Sequence, residues 1–437
     1  MKVQKFGGTS VGSPDRIKSV AQLISSFPGK NIIVLSAMSG TTNSLLEITE
    51  AFKQGKKDKV TELTDNLYKK YIDVVNELFT TKETKKHVKE IIDKIFEEII
   101  NETSKKYKPQ SEKNIVSKGE IISTNLMYNY MLEMGENVEL ISALDFMITD
   151  NNGEPAYTSI RNHLKEILKD LEDKDIIITQ GFICKNPEGK VDNLLRGGSD
   201  FTASIIGSVI NAEEVDIWTD IDGMHNNDPR FVEETSPVHN LHFEEAAELA
   251  YFGAKILHPT CILPAKLNNI PVRLLNTMEP TARGTLINNE LEHGSIKAVA
   301  AKDNITAIKI KSSRMLLAYG FLKKVFEVFE KYRTPIDMIA TSEVGVSLTI
   351  DDDKHLQEII NDLEKLGTVT VDKEMVIICV VGDLEWQNKG FEARALDALR
   401  NIPVRMISYG GSNYNISFLI DKSNKTKALR LLSYHLF

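Results

Sequence analysis

The sequence predicts an α/β protein in two parts: a mostly parallel sheet flanked by helices, then two ferredoxin-like βαββαβ units. Two observations carry this. Apolar runs at 3–6, 31–36, 138–141, 176–180 and 215–219 alternate with helical patterns. After about residue 295 the order changes to strand, helix, strand, strand, helix, strand, and then nearly repeats. A length of 437 residues also exceeds what one ordinary core holds.

The elements follow in order. Residues 2–13 read KVQKFGGTSVGS, a short strand running into a Gly7-Gly8-Thr9-Ser10 turn and then a helix. Bare glycine backbone lets N–H groups approach an anion, and a helix N-terminus favours negative charge. Lys5, just before the turn, can bring an ammonium to a transferring phosphoryl group. The helix has Ser13 as candidate N-cap, Pro14 at its first position, and Ile17, Val20, Ala21 and Ile24 on one face. By itself the motif is equally compatible with a plain tight turn, and it is not a Walker A loop. Residues 51–114 are Lys/Glu-rich and strongly helical, which reads as a solvated helical insert. A helix at 243–252 ends at Gly253, and strands at 271–275 and 285–287 close a first domain drawn as 1–290.

The first βαββαβ unit spans 305–371, with strands at 305–311, 336–341, 344–350 and 368–371 and helices at 321–332 and 355–366. The second, 375–437, has strands at 375–381, 404–409 and 414–420, helices at about 391–399 and 426–436, and lacks its last strand. The spare apolar strand 296–301 supplies it, so the first unit is inserted into the second. Two purely structural units without a ligand remain the alternative.

Composition sets bounds. Hydrophobic residues are 42% and charged residues 26%, an ordinary globular balance. A net charge of −9 argues against a nucleic-acid partner. Cys184, Cys261 and Cys379 form no metal-ligand spacing and no disulfide framework, so no metal site is expected and a reducing, cytoplasmic compartment is. No leader precedes the first strand and no apolar run is long enough for a membrane span.

Further segments accompany the glycine turn in order: NIIVLSAMSGTTNS (31–44), SKGE (117–120), LLRGGSD (194–200), VDIWTDIDGMHNNDPR (215–230) and YFGAKILHP (251–259). Together they resemble the aspartate kinases (aspartokinases) of the amino-acid-kinase superfamily, along nearly the whole chain. The resemblance implies the amino-acid-kinase fold followed by tandem ACT modules, the monofunctional form of the enzyme, and Mg2+-ATP as phosphoryl donor. It implies phosphorylation of the L-aspartate side-chain carboxylate to 4-phospho-L-aspartate, the first step towards lysine, threonine and methionine.

Chemistry and resemblance assign the residues together. Arg196 suits bidentate grip of a carboxylate, Glu120 suits an ammonium, and Ser36, Thr42 and Ser199 are hydroxyl donors; the resemblance matches all five to aspartate-binding positions. Lys5 and Asp200 match catalytic positions. A carboxylate nucleophile is already ionised at pH 7, so Asp200 is expected to orient Lys5 rather than act as a base. On the motif alone, the lesser alternative is a helix entry with Asp200 as cap. Gly7, Gly8, Thr9, Ser10, Thr219, Asp220, His225, Asp228, Arg230 and Lys255 match nucleotide-binding positions, with Mg2+ riding on the phosphates. His225 stands where the family often has tyrosine, and reads as a solvated loop residue or a stacking surface for adenine. The regulatory half most resembles the lysine-sensitive type. Met315, Ala318, Gly320, Phe321, Asp337, Thr341, Ser342 and Glu343 match its lysine-site segments, with Ala318 where serine is common. A lysine effector and a homodimer through the ACT modules are implied. The rival readings are a catalytically silent amino-acid sensor and a kinase for another acidic amino acid.

Overall fold

Strand β1 (Lys2–Phe6) is the middle of the first sheet, and what surrounds it decides where chemistry can occur. The computed structural model describes residues 1–194, 197–253, 259–312 and 319–437. In chain order β1 is followed by α1 (Pro14–Ser25), β2 (Asn31–Leu35), α2 (Thr41–Lys53), α3 (Lys57–Leu78), α4 (Lys82–Thr103), α5 (Pro109–Val116) and α6 (Lys118–Met134). Then come β3 (Val138–Leu140), α7 (Tyr157–Lys169), β4 (Ile176–Gln180), β5 (Ile183–Lys185), β6 (Val191–Asn193), α8 (Gly198–Ile210) and β7 (Val215–Thr219). Next are β8 (Asn240–His242), α9 (Phe243–Tyr251), α10 (Pro259–Leu267), β9 (Val272–Asn276), β10 (Thr285–Asn288) and β11 (Ile296–Lys311). The chain finishes with α11 (Phe321–Lys331), β12 (Ile339–Ser342), β13 (Gly345–Ile350), α12 (Leu356–Leu363), β14 (Thr368–Gly382), α13 (Phe391–Ala398), β15 (Val404–Tyr409), β16 (Asn415–Asp421) and α14 (Lys425–Leu436).

Two compact units emerge: Met1–Gly223 with Leu257–Asn289, and Met224–Ile256 with Glu290–Phe437. Of the expected first domain, 1–290, residues 224–256 fall in the second unit by packing and 257–289 in the first.

In the first unit the strand order is β3-β4-β2-β1-β7-β9-β10, parallel throughout except for the β9–β10 hairpin. The order turns at β1, with β2 on one side and β7 on the other, and in open α/β sheets the place for a ligand is beyond the C-terminal ends of the strands at such a turn. Helix α1 starts as its residues dictate: the Ser13 hydroxyl accepts the Arg16 N–H at 3.3 Å, Pro14 occupies the first turn, and Ile17, Val20, Ala21 and Ile24 are buried. The 51–114 helices are not a solvated insert. Leu67, Tyr71, Val75, Ile92, Phe96 and Ile99 join one core with Phe6, Ile33 and Leu35. Their charged residues form outer faces, which made the stretch look polar when averaged.

In the second unit the βαββαβ halves do not make separate sheets. They share one six-stranded sheet, order β12-β13-β11-β14-β16-β15. Spare strand 296–301 and strand 305–311 are a single strand, β11, and 368–371 and 375–381 are likewise a single strand, β14. The start of β11 pairs with the end of β14 (Ala298 with Val381), and its end with the start of β14 (Ile310 with Val369). The pairing shifts register mid-strand, where Asn304 (φ 61°) and Glu374 (φ 55°) take left-handed backbone. Each half keeps its own core: Val325, Phe329, Leu348 and Ile359 in one, Val376, Phe418, Leu429 and Leu432 in the other.

Candidate functional site

The site builds from the C-terminal end of β1. Lys5 is 8% exposed, and its Nζ lies 2.7 Å from Asp200 Oδ1 in the first turn of α8. The α8 start requires glycine: Gly197 (φ 70°) and Gly198 (φ 41°) are both left-handed. Gly181, just past β4, has no Cβ because one would sit 2.4 Å from the Ser199 Oγ. Removing that atom lets α8 approach the sheet and brings Ser199 to Ser36, whose hydroxyl donates to the Ser199 Oγ at 2.9 Å.

The Gly7–Ser10 turn is pinned on both sides. The Gly7 N–H donates to the Trp218 carbonyl at 3.2 Å, and the Ser39 N–H to the Gly8 carbonyl at 3.1 Å. A Cβ on Gly8 would stand 2.7 Å from the Ala37 carbonyl oxygen, so only glycine lets the 36–40 loop close on the turn. A Cβ on Gly7 would fall 3.4 Å from Lys5 Nζ; the bare backbone therefore leaves room for an oxygen beneath the ammonium. Thr9 is half-buried and its carbonyl takes a bond from Arg16. Ser10 is fully buried and shares its hydroxyl with Thr277 at 2.7 Å, so it braces the turn.

Glu120 enters from α6. Its Oε1 accepts the Ala37 N–H at 3.4 Å, and its Oε2 has no hydrogen-bond partner among the described residues. Burial pushes this carboxyl up to about 7, against the pull of the backbone bonds. The position depends on Gly119, where a Cβ would lie 2.9 Å from the Ala37 Cβ. Thr42 is half-buried at the start of α2; its neighbour Thr41 bonds the buried Tyr71 hydroxyl at 2.6 Å. Thr219 ends β7, and its hydroxyl donates to Asp220 at 3.1 Å. Lys5, Gly7–Ser10, Ser36, Glu120, Ser199 and Asp200 are thus tied together by contacts within the first unit. Arg196 and Lys255 lie outside the described residues, as do Met315 and Ala318.

The second unit carries His225, with Nδ1 2.8 Å from the Thr235 hydroxyl, and an Asp228–Arg230 fork at 2.6–3.1 Å. Gly320 is left-handed (φ 79°) at the start of α11, Phe321 is buried, and Thr341, Ser342 and Glu343 are exposed. Asp337, which the resemblance places in a lysine-site segment, has a cationic partner within the chain. Lys302 Nζ lies 2.6 Å from its Oδ1 and 2.9 Å from Asp351, and the Tyr251 hydroxyl donates to Asp337 at 2.8 Å. Lys302 also sits 4.2 Å over the Tyr251 ring. Burial raises Asp337 against the pull of Lys302; burial alone would lower Lys302, and the two carboxylates reverse this. Lys302, Tyr251, Gly119 and Gly181 are the residues that sequence reasoning missed. Gly119, inside the SKGE segment, and Tyr251, at the start of YFGAKILHP, carried a local signal; Lys302 and Gly181 did not.

Comparison with known proteins adds to this geometry. The amino acid kinase family matches residues 1–276, and an ACT domain matches 378–436. Aspartokinase 1 of Arabidopsis thaliana is 35% identical over 100% of this chain and 80% of its own length. Aspartokinase III of Escherichia coli, solved in complex with aspartate and ADP in its R-state, superposes with a TM-score of 0.85 at 31% identity and full coverage of both chains. The same enzyme with lysine and aspartate, in its T-state, gives 0.83 at 32% identity, again over both whole chains. Matched from end to end in sequence and in fold, the chain belongs to the aspartokinase family.

Proposed function

We propose that the Lys5–Asp200 pair and the glycine turn beside it carry ATP-dependent phosphorylation of the L-aspartate side-chain carboxylate, giving 4-phospho-L-aspartate and ADP. The observation that carries this reading is the 2.7 Å pair itself, at the open end of β1 over bare glycine backbone. A carboxylate oxygen of aspartate attacks the γ-phosphorus, the bond to the bridging oxygen breaks, and ADP leaves. No proton has to be removed from the nucleophile, so the protein supplies position and positive charge. Lys5 neutralises the spreading charge, and Asp200 holds its ammonium in place.

Glu120 pairs with the substrate ammonium, which supplies the partner that its buried Oε2 lacks among the described residues. Ser199 and Thr42 donate to carboxylate oxygens, the Ser36 hydroxyl turns from Ser199 to another when the substrate arrives, and Arg196 grips one bidentately. The N-termini of α2, α6 and α8 add their dipoles on the same side. Gly7, Gly8, Thr9, Ser10, Thr219 and Asp220 serve the nucleotide, and the family resemblance adds His225, Asp228, Arg230 and Lys255 to that role. Mg2+ carried on the ATP phosphates would offset part of their charge, and the turn backbone and Lys5 would bind what remains.

Regulation belongs to the second unit. The first ACT module is 305–371, and 296–301 with 375–437 forms the second. L-Lysine is the effector, bound near Gly320, Phe321, Asp337, Thr341, Ser342 and Glu343 with Met315 and Ala318. It cannot accept phosphate at a second carboxylate and so acts by favouring an inactive state. The enzyme works as a homodimer through its ACT modules, in the cytoplasm. No helix among the described residues is long and apolar enough to cross a membrane.

The test is ADP release with L-aspartate, L-glutamate and N-acetylglutamate in parallel, with hydroxylamine to trap the acyl phosphate. Aspartyl hydroxamate should form, and equal turnover of acetylglutamate would sink the assignment. A silent sensor would form none.

A further inference from the structure

Gln4 lies in the buried middle of the first unit's sheet with both ends of its amide engaged. Its Oε1 accepts the Trp218 indole N–H at 2.7 Å, and its Nε2 donates to Asp216 Oδ2 at 2.7 Å. Gln4, Asp216 and Trp218 are each no more than 4% exposed. Burying an amide, an indole N–H and a carboxylate costs free energy that apolar side chains of similar size would not. The arrangement must therefore be judged by what it fixes.

It fixes the strand that carries Lys5. In register, Gln4 faces Asp216 and Phe6 faces Trp218, both across β1 and β7. Phe6 stacks on the Trp218 ring at 5.7 Å and 10°, and Phe27 flanks the same ring at 5.7 Å. Lys5 is thus the residue between two clamped neighbours, with its own side chain on the opposite face of the sheet. The Trp218 carbonyl also accepts the Gly7 N–H and so pins the start of the turn.

We propose that Gln4 and Trp218 are positioning residues for phosphoryl transfer: by locking β1 to β7 they set the height and direction of Lys5 and Gly7 relative to the phosphoryl group. Neither touches substrate. This rests on the reading of Lys5 and the turn given above.

The test is steady-state kinetics on the full-length chain with Gln4→Met, Trp218→Phe, the double variant and Lys5→Ala as control, each checked by its melting curve. Trp218→Phe keeps a stacked ring and guards against a Gln4 variant that does not fold. The expected result is a kcat lowered about ten- to a hundredfold in each single variant, the scale of sub-ångström misplacement. The aspartate KM should stay within about twofold, and the double variant should be no worse than the worse single one, since both break one lock. A kcat within about twofold of wild type in a folded variant, or losses that multiply, would overturn the positioning role. Lys5→Ala separates the two readings: if it too leaves kcat intact, the site assignment has failed; if it abolishes turnover while Gln4→Met and Trp218→Phe do not, only the positioning role has.

Discussion

Lys5 meets Asp200 at 2.7 Å in the first unit, and Lys302 meets Asp337 at 2.6 Å in the second. Both are lysine–aspartate pairs largely removed from water, and they differ in what else the ammonium touches. Among the described residues Asp200 is the carboxylate that pairs with Lys5, over backbone without side chains. Lys302 is shared by Asp337 and Asp351 and capped by the Tyr251 ring. An ammonium has three donors. The first pair keeps donors for a ligand that must arrive and leave. The second is closed, so a cationic ligand of Asp337 has to compete with a lysine already built into the chain.

The βαββαβ repeat sharpens this. The position of Asp337 in the first half, in T-P-I-D-M-I, is held in the second by Arg405, in I-P-V-R-M-I. Arg405 pairs with Asp372 at 2.9 Å. Lys302 and Asp372 each lie two residues before the left-handed Asn304 or Glu374, at equivalent bends of β11 and β14. The two halves thus keep one ion pair at one place with its charges exchanged. Only the first offers an acid there.

The largest effect should come from the open pair. Lys5→Ala is expected to lower kcat by roughly 10²–10³, the usual loss on deleting a transition-state donor. A drop of only a few-fold would make Lys5 no different from a structural lysine and dissolve the contrast. Next comes the closed pair: Asp337→Asn should raise the half-inhibiting lysine concentration about tenfold, within the usual range of allosteric coupling. An unchanged inhibition curve would remove Asp337 from the effector site.

A pH profile tests the substrate side. Because burial holds Glu120 up near 7, it is neutral below that pH in the free enzyme and ionised above it. Ammonium binding favours the ionised form, so the aspartate KM should climb as pH falls through about 7, approaching tenfold per pH unit. Glu120→Gln should flatten that slope. The smallest effect is expected from Arg405→Ala, which should leave the half-inhibiting lysine concentration within about twofold. A large shift there would mean that both halves of the repeat read the effector.

Much of this was legible in the sequence where the cause is local. Ser13 and Pro14 started a helix because one bonds its first turn and the other lacks an N–H to lose. The glycine turn was legible because its cause is local: Gly8 has no room for a Cβ against the Ala37 carbonyl. What escaped was set by distance along the chain. Lys302 and Asp337 are 35 residues apart, and they meet because β11 passes beside β13. Gln4 and Trp218 are 214 apart and meet through strand register. The 51–114 helices read as solvated because composition averages over faces, whereas burial of Tyr71 and Phe96 depends on one face alone.

The division of labour between the pairs is tested most directly by replacing each lysine with methionine, which keeps the stem and removes the charge. Turnover and lysine inhibition are then measured on Lys5→Met and Lys302→Met side by side. Lys5→Met should lose turnover. Lys302→Met should keep turnover and be inhibited at a lower lysine concentration, because the effector ammonium no longer competes with a tethered one. Loss of turnover in Lys302→Met comparable to that in Lys5→Met, or a lysine response in Lys302→Met identical to wild type, would contradict the account.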